Sequence, residues 1–343
     1  FKMIRATTFV AFLALAQSVL SFDTNKHPRE YYEEKFVDFL AKFDIKAKNG
    51  GHFIEMLKKF ANNVDFIESH NRSPAGQRYK LGINQFAHMT FEEWGQHMRF
   101  GLAPAHEPAP LTHQAVNGTS LSGSIDWTTK GAVTPVKDQG SCGSCWSFSA
   151  TGAMEGAYQI KYGTLESFSE QNLVSCDTID AGCNGGLMDN AFKWTKSNGG
   201  ICTEDGYPYT SGTTKVDGTC NQSSCTKNTK VAPASYTDVK KNSDADFKSA
   251  LDQQPVSVAI QANQPAFQFY TSGVMDGSCG ARLDHGVLAV GYGTDGGDYY
   301  KIKNSWGASW GESGYIRLAG GESYNRGKGQ CGVLSGPPSY PNL

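Results

Sequence analysis

Two cysteines three residues apart carry the strongest chemical signal in this chain. They stand in Gln139-Gly-Ser-Cys-Gly-Ser-Cys-Trp146, and a bare C-x-x-C pair serves a redox dithiol or half of a zinc site as readily as a nucleophile. The flanking residues shift the balance. From Trp146 to Tyr162 the apolar positions Ala150, Ala153, Met154, Ala157 and Ile160 predict a helix that is apolar on most faces and therefore buried. Cys145 then lies at a helix N-terminus, where the helix dipole and unpaired backbone N–H groups favour a thiolate. A thiolate nucleophile needs a base. Seven of the eight histidines precede residue 114, which leaves His285 alone downstream. An isolated histidine is more often a satisfied core residue, but this one opens an apolar strand in Leu283-Asp284-His285-Gly286. Asn304, in Asn304-Ser-Trp-Gly, can accept the second imidazole N–H and fix the ring, and Trp306 can shield that bond from water.

These residues need elements to hold them. Between Tyr31 and Asn71, Phe36, Phe39, Leu40 and Phe43, then Phe53, Met56, Leu57, Phe60, Val64 and Ile67, recur at helical spacing and predict two helices. The Pro- and Ala-rich stretch from Leu102 to Pro110, leading through Asn117-Gly-Thr-Ser to Gly123, reads as an exposed linker open to cleavage. Later, Val256 to Ile260, Gly286 to Tyr292, Tyr299 to Lys303 and Gly314 to Leu318 read as strands between Gly-rich turns. A helical half followed by a strand-rich half predicts an α+β fold with a cleft where the halves meet.

The bulk numbers exclude some classes. A chain of 343 residues with 39% hydrophobic residues can bury a sizeable core, and a net charge of -2 gives no support for nucleic-acid binding. Lys2 and Arg5, the apolar run Ala6 to Leu20 and small residues up to Ser21 read as a signal peptide over residues 1–21. That run is short for a membrane span of about 20 apolar residues, so no membrane partner is expected. Met3, two residues after Phe1, suggests extra translated sequence ahead of the true start. All nine cysteines lie between positions 142 and 331. In an exported chain, an odd count fits four bridges and one free thiol.

With C-G-S-C-W at Cys142 to Trp146 and with His285 and Asn304 far downstream, the chain resembles the papain family of cysteine peptidases, and within it the cathepsin L group. The resemblance runs from the signal peptide to Pro341. It implies a papain-like two-lobed fold, with a helical left lobe and a β-barrel-like right lobe about the cleft, made as a precursor. Residues 22–121 would be an inhibitory helical propeptide and residues 122–343 the peptidase domain. It further implies a cysteine endopeptidase needing no cofactor or metal, in which Cys145 attacks the peptide carbonyl and His285 moves the proton. Asn304 would orient His285, and Gln139 with the Cys145 N–H would stabilise the oxyanion. Gly186, in Gly182-Cys-Asn-Gly-Gly-Leu-Met-Asp, matches the residue that bonds the substrate backbone. Leu187, Met188, Ala259 and Leu283 match the pocket for the second residue on the acyl side of the cut bond. Asp284 and Trp306, beside the His and the Asn, join the substrate-binding set. No acid stands near Gly336 to Pro338, the pocket floor, so apolar or aromatic side chains are expected there. The resemblance pairs Cys142 with Cys183, Cys176 with Cys220 and Cys279 with Cys331; Cys202 and Cys225 remain for a further bridge, although Cys220 and Cys225 can exchange partners.

In the pro-region, Phe60, Asn63, Ile67 and Asn71 fit the family's inhibitory helix motif, whereas His52 and Met56 replace an acid and a base that usually pair. Gly82-x-Asn84-x-Phe86-x-His88 resembles a second motif, with His88 in place of Asp. Between Phe22 and Leu121, 12 basic face 12 acidic residues, with seven histidines besides, so protonation of His52 and His88 is expected to weaken the pro-region in an acidifying compartment. Asn71, Asn117 and Asn221 head sequons, consistent with the secretory pathway and either a lysosome-like or an extracellular destination. Protein and peptide substrates, the chain's own propeptide and cystatin-type inhibitors are the expected partners of a monomer. A peptide-binding relative without activity would have lost Cys, His or Gln. A thiol-disulfide oxidoreductase would keep Cys142 and Cys145 both free. An exopeptidase would carry a His-His insertion, and none lies between Asn198 and Thr226.

Overall fold

The computed structural model describes residues 25–102, 107–115, 121–277 and 279–343. The expected signal peptide and the sequon at Asn117 lie outside these residues. The two helices read from apolar spacing are α1 (Arg29–Lys42) and α2 (Gly50–Arg72). Asn49 caps α2, its Oδ1 accepting the His52 N–H at 2.9 Å, the usual way to satisfy an orphan donor at a helix start. The helices pack through aromatic rings, with Phe36 and Phe39 at 5.2 and 5.1 Å from Phe60. Polar residues of the α2 motif tie it to the chain that follows. Asn63 donates to the carbonyls of Ala87 and Met89 at 2.9 and 2.8 Å. Asn71 donates to Leu81 O and accepts from Leu81 N. Its amide nitrogen is therefore already committed inside the pro-region.

Strand β1 (Tyr79–Leu81) and helix α3 (Phe91–Met98) follow. Thr90 and Glu93 form a reciprocal capping box at the start of α3, a signature present in the sequence as Thr-x-x-Glu. Strand β2 (Leu111–His113) comes next. Part of the expected exposed linker is thus structured: Leu102 is half-buried and paired with Gly186, and residues 111–113 form a strand.

The chain continues through β3 (Ile125–Asp126), α4 (Cys145–Tyr162), α5 (Glu170–Cys176) and α6 (Met188–Asn198). Along α4 nearly every residue from Cys145 to Tyr158 is buried, and its glycines explain how closely its neighbours approach. A Cβ on Gly152 would lie 2.8 Å from Leu288 Cδ2, and one on Gly156 would lie 2.6 Å from Pro255 Cγ. After the short β4 (Ile201–Cys202) and β5 (Lys227–Asn228) come β6 (Ser235–Val239), α7 (Asp244–Leu251), β7 (Val256–Ile260), α8 (Pro265–Phe269) and β8 (Tyr270–Met275). The chain ends in β9 (His285–Thr294), β10 (Asp298–Lys303), β11 (Tyr315–Ala319) and β12 (Ser339–Asn342).

The long sheet runs β1-β8-β11-β10-β9-β7-β12-β6-β2, with β3 on β9. This corrects the expected β-barrel-like lobe. A barrel requires every strand to have two neighbours, but no ladder among the described residues joins β6 to β8, and the sheet stays open. The pro-region occupies both open edges: β1 pairs antiparallel with β8, and β2 pairs parallel with β6. The fold is two-lobed α+β, with α4 packed across β9 and β7 where the lobes meet. Disulfides join Cys142–Cys183, Cys176–Cys220, Cys202–Cys225 and Cys279–Cys331, leaving Cys145 free. No described helix is long and apolar enough to cross a membrane.

Candidate active site

Cys145 is the first residue of α4, and His285 the first of β9. The helix thus supplies a thiol where its N–H groups are unpaired, and the strand end supplies an imidazole from the other lobe. His285 Nε2–H donates to Asn304 Oδ1 at 2.8 Å. The Ser305 N–H also donates to that oxygen, at 2.8 Å, which fixes the Asn304 amide so that its oxygen faces the ring. His285 Nδ1 is left buried without a partner. Trp306 stacks on the imidazole, with ring centroids 4.9 Å apart. Cys145 Sγ accepts the Gly286 N–H at 3.4 Å.

Gln139 is buried on the same wall. Ser305 Oγ donates to its Oε1 at 2.7 Å, so its Nε2 must point the other way. There it donates to Cys142 O at 3.0 Å and reaches Met98 O of the pro-region at 3.4 Å. Sequence reasoning missed Ser305, although it sits between Asn304 and Trp306 in a motif already singled out. It also missed Tyr209, whose hydroxyl donates to Gln139 O at 2.8 Å and meets Ser144 Oγ at 2.7 Å.

The pro-region covers all of this. Phe100 stands edge-on to His285 and to Trp306, with centroids at 5.9 and 6.3 Å. Trp94 stands edge-on to Trp306 at 5.5 Å, and Gln85 Nε2 donates to Trp306 O at 2.8 Å. Gly101 passes so near Gly143 that a Cβ on it would lie 2.0 Å from the Gly143 carbonyl oxygen. As a result, Cys145 and His285 have relative exposures of 0% and 1%. Burial pushes the Cys145 thiol up, against the N–H groups of Gly286, Gly101 and Trp146. Burial likewise pulls His285 down to about 4, against the Asn304 bond. Desolvation disfavours the charged form of each, so in the precursor the pair is thiol and neutral imidazole.

Beside the sulfur, Gly186 N–H donates to Gly101 O at 3.1 Å, and Leu102 bridges Gly186 in parallel. Leu102 packs against the apolar cluster that contains Met188 and Ala259, and Leu283 packs against the same cluster. A Cβ on Gly336 would meet Leu283 Cδ1 at 2.9 Å and Ala259 Cβ at 3.5 Å, which places this glycine between them. Leu187 is half-buried. Asp284 instead holds a turn: its Oδ1 accepts from Ala262 N at 2.8 Å and its Oδ2 from Asn263 N at 3.4 Å. Burial lifts its carboxyl to about 6. Among the remaining sequons, Asn221 is exposed, its Oδ1 accepting from Ser223 Oγ at 2.9 Å. No group of three metal-ligating side chains occurs among the described residues, and the bridge to Cys183 removes Cys142 from redox or zinc partnership with Cys145.

Comparison with known proteins adds two family matches, "Papain family cysteine protease" over residues 121–340 and "Cathepsin propeptide inhibitor domain (I29)" over residues 36–94. The probable cysteine protease RD21B of Arabidopsis thaliana is 45% identical over 96% of this chain and 72% of its own length. Two solved structures are similar over both regions. One is the Amb a 11 cysteine protease, a ragweed pollen allergen, in its proform, with TM-score 0.79, 34% identity and coverage of 92% of this chain and 96% of that one. The other is the recombinant stem bromelain precursor, with TM-score 0.81, 37% identity and coverage of 91% and 99%.

Proposed function

The chain belongs to the papain family of cysteine proteases, and we infer that its reaction runs through Cys145 as nucleophile, His285 as base and acid, and Asn304 as the group that orients His285. It is a cysteine endopeptidase made as a zymogen, with its propeptide as built-in inhibitor. One observation supports the role assignment above others. The Asn304 bond fixes the proton on His285 Nε2 and leaves Nδ1 unpartnered, the state a base needs.

Removal of Phe100 to Leu102 readmits water, and the penalty on charge at the pair falls. The Cys145 proton passes to His285 Nδ1, and the thiolate attacks the substrate carbonyl carbon. The developing oxyanion accepts from Gln139 Nε2 and from the Cys145 N–H, fixed dipoles that need no reorganisation. His285 returns the proton to the leaving amine and leaves a thioester. It then takes a proton from water, whose oxygen displaces the sulfur and releases the acid. In the precursor the Met98 carbonyl stands at the Gln139 donor and Gly101 O at the Gly186 N–H, so the inhibitor borrows contacts meant for substrate.

The apolar walls from Met188, Ala259 and Leu283, with Gly336 between the last two, support preference for an apolar or aromatic residue at the second acyl-side position. Leu187 belongs to the mouth of that pocket. The four disulfides support passage through an oxidising secretory route, with a lysosome-like or extracellular destination, and the exposed Asn221 supports glycosylation there. Maturation near Leu121–Ser122, a monomeric product and inhibition by cystatin-type proteins rest on the family resemblance.

The test is hydrolysis of a fluorogenic peptide with Phe second from the cut bond and Arg at it, by the acid-processed chain. Activity lost in Cys145→Ser and His285→Ala, with Arg in place of Phe cut more slowly, is the expected result. Undiminished activity in either variant would overturn the roles.

A further inference from the structure

Behind the edge that carries Gly186 lie two carboxyls that peptide hydrolysis does not use. Asp177 follows α5 directly and Asp180 lies three residues on. Asp177 Oδ1 accepts the N–H groups of Ile179 and Asp180, at 2.7 and 3.4 Å. Asp180 Oδ1 accepts the Leu187 N–H at 3.0 Å and Asn190 Nδ2 at 2.8 Å. The Asp180 carboxyl therefore sits against the back of the Gly186–Leu187 peptide. A Cβ on Gly186 would lie 2.7 Å from Asp180 Cγ and 2.6 Å from Trp146 Cδ2, so Gly186 is held between a carboxyl and an indole. On its open side, Gly186 N–H meets the occupant of the cleft.

The outer oxygens, Asp177 Oδ2 and Asp180 Oδ2, are both buried with no donor, and the Asp180 N–H on Asp177 Oδ1 holds the two residues in one tight turn. Two buried carboxylates held in one turn repel, whereas one proton between them relieves the repulsion. The surroundings offer no counter-charge. Asn190 faces the pair from α6, and Trp146 packs from α4. Across the Gly182–Cys183 turn the charged neighbour is another acid, Asp217, which accepts the Cys183 N–H at 2.6 Å. No lysine, arginine or histidine among the described residues pairs with Asp177 or Asp180.

We propose that Asp180, sharing one proton with Asp177, is a positioning residue that aligns the Gly186–Leu187 edge for substrate, and that losing this proton weakens peptide binding without impairing bond cleavage. This rests on the reading that Gly186 binds the substrate backbone. The proton balance agrees in sign. Burial, first, lifts both carboxyls, and the Asp177 charge further lifts Asp180, to about 8, against the Asn190 bond. A raised acid keeps its proton at the acidic pH of maturation, and the aligned state is lost as pH rises through about 8.

The experiment compares wild type, Asp180→Asn, Asp177→Asn and Asp180→Ala as processed enzyme, counted by epoxide titration, from pH 5 to 9. It reads kcat and KM for the Phe-Arg fluorogenic peptide. Alongside, tryptophan fluorescence reads the Kd of a peptide with a reduced, uncleavable bond, which requires no turnover. In wild type, KM and Kd are expected to rise about fivefold between pH 7 and 9, the effect of losing the Asp180–Leu187 hydrogen bond as repulsion between two carboxylates drives them apart. Asp180→Asn keeps the acceptor oxygen and cannot ionise, so its KM and Kd should stay flat, as should those of Asp177→Asn. Asp180→Ala should raise both about fivefold at every pH, with kcat little changed. A flat wild-type Kd, or an alkaline rise that persists in Asp180→Asn, would overturn the proposal. Because Kd is read without catalysis, loss of the nucleophile assignment would appear separately, as absent turnover with intact binding.

Discussion

Two of the buried sets of ionisable side chains, one at the cleft and one deep between the lobes, are treated oppositely. At the cleft, Cys145 and His285 are buried and uncharged, and His285 Nδ1 has no partner. Deeper between the lobes, Lys137 pairs with Glu155 at 3.2 Å and with Glu170 at 2.7 Å, while Thr134 Oγ1 donates to Glu155 at 2.6 Å and Lys303 Nζ donates to Thr134 at 2.9 Å. Burial pushes Glu155 up, but Lys137 and Lys303 outweigh it and hold the carboxyl below its ordinary value. Burial raises Glu170 to about 8, opposed by Lys137 and reinforced by Glu155. Burial of the deep set comes from the lobes' own packing and is permanent, so charge is matched by charge. At the cleft the cover is the pro-region, and it is removable, so the pair is left unmatched and waits for water. An unmatched buried pair is tolerable only because it is neutral, and its neutrality adds to the blocking of the substrate contacts by Met98 and Gly101.

The sharpest way to break this contrast is to delete one member from each set. Glu155→Ala leaves Lys137 and Lys303 with too few acceptors in a buried site and is expected to cost about 3–5 kcal/mol, read as a large drop in Tm or loss of folded protein. His285→Ala, which removes a neutral ring and leaves no unpaired charge, should lower Tm less than Glu155→Ala does and abolish peptide cleavage. Equal stability losses in the two variants would remove the distinction.

A smaller effect is expected from thinning the cover. Phe100→Ala removes the half-buried ring over His285 and Trp306, a loss of about 1.5 kcal/mol of apolar contact. It should weaken inhibition of the processed enzyme by free propeptide about tenfold, while the Tm of the processed enzyme, which lacks this residue, stays the same. An unchanged inhibition constant would show that Phe100 is not part of the seal.

The smallest effect concerns pH. His88 and His97 are both held below their ordinary value, burial being the first cause for each. His88 is then raised by the Gln85 backbone and lowered by His97, with Glu93 and Lys59 in opposition beyond that. His97 meets Ser141 Oγ at 2.8 Å across the interface and is raised by Asp138 and lowered by Lys215. A histidine with a depressed folded pKa lends its stability above its free value near 6.5, and that stability is lost as pH falls. His88→Asn and His97→Asn should therefore shift the midpoint of acid activation downward, by a few tenths of a pH unit. An unmoved midpoint in both would rule out these histidines as sensors. His52, by contrast, is engaged at the α2 start, where its Nδ1 accepts the Lys48 N–H at 3.1 Å.

What was legible in the sequence divides along the same line. Cys145 and His285 stand out in the sequence because their types leave few alternatives, one odd cysteine and one histidine downstream, and Asn304 because it can hold that histidine, whereas the role of Gln139 came only with the family resemblance. The helices α1, α2 and α4 and the strands β7, β9, β10 and β11 followed from apolar periodicity alone. The pro-region's strands were not legible. β1 and β2 are three residues each, and a segment that short is set by the edge it pairs with rather than by its own preference. The same holds for Leu102, which reads as linker in the sequence because the apolar cluster that covers it comes from distant residues such as Met188 and Ala259. The open sheet differs from the implied barrel because strand pairing between β6 and β8 is a long-range property with no local signal. The charge cluster joins residues 18 and 33 apart in sequence, and the Asp177–Asp180 pair becomes visible only once Leu187 folds back onto it. The sequon at Asn71 is intact as text, yet its amide is spent on Leu81.

The central claim is that the pro-region silences Cys145 by keeping the thiol and the imidazole uncharged. The most direct measurement is the rate of Cys145 alkylation by iodoacetamide between pH 4 and 9, in the intact precursor and in the processed chain, with the modified peptide identified by mass. The expected result is a fast reaction in the processed chain that persists to acidic pH, reflecting a thiolate beside imidazolium, and a reaction at least a hundredfold slower in the precursor. Equal rates and equal pH profiles in the two forms would contradict it.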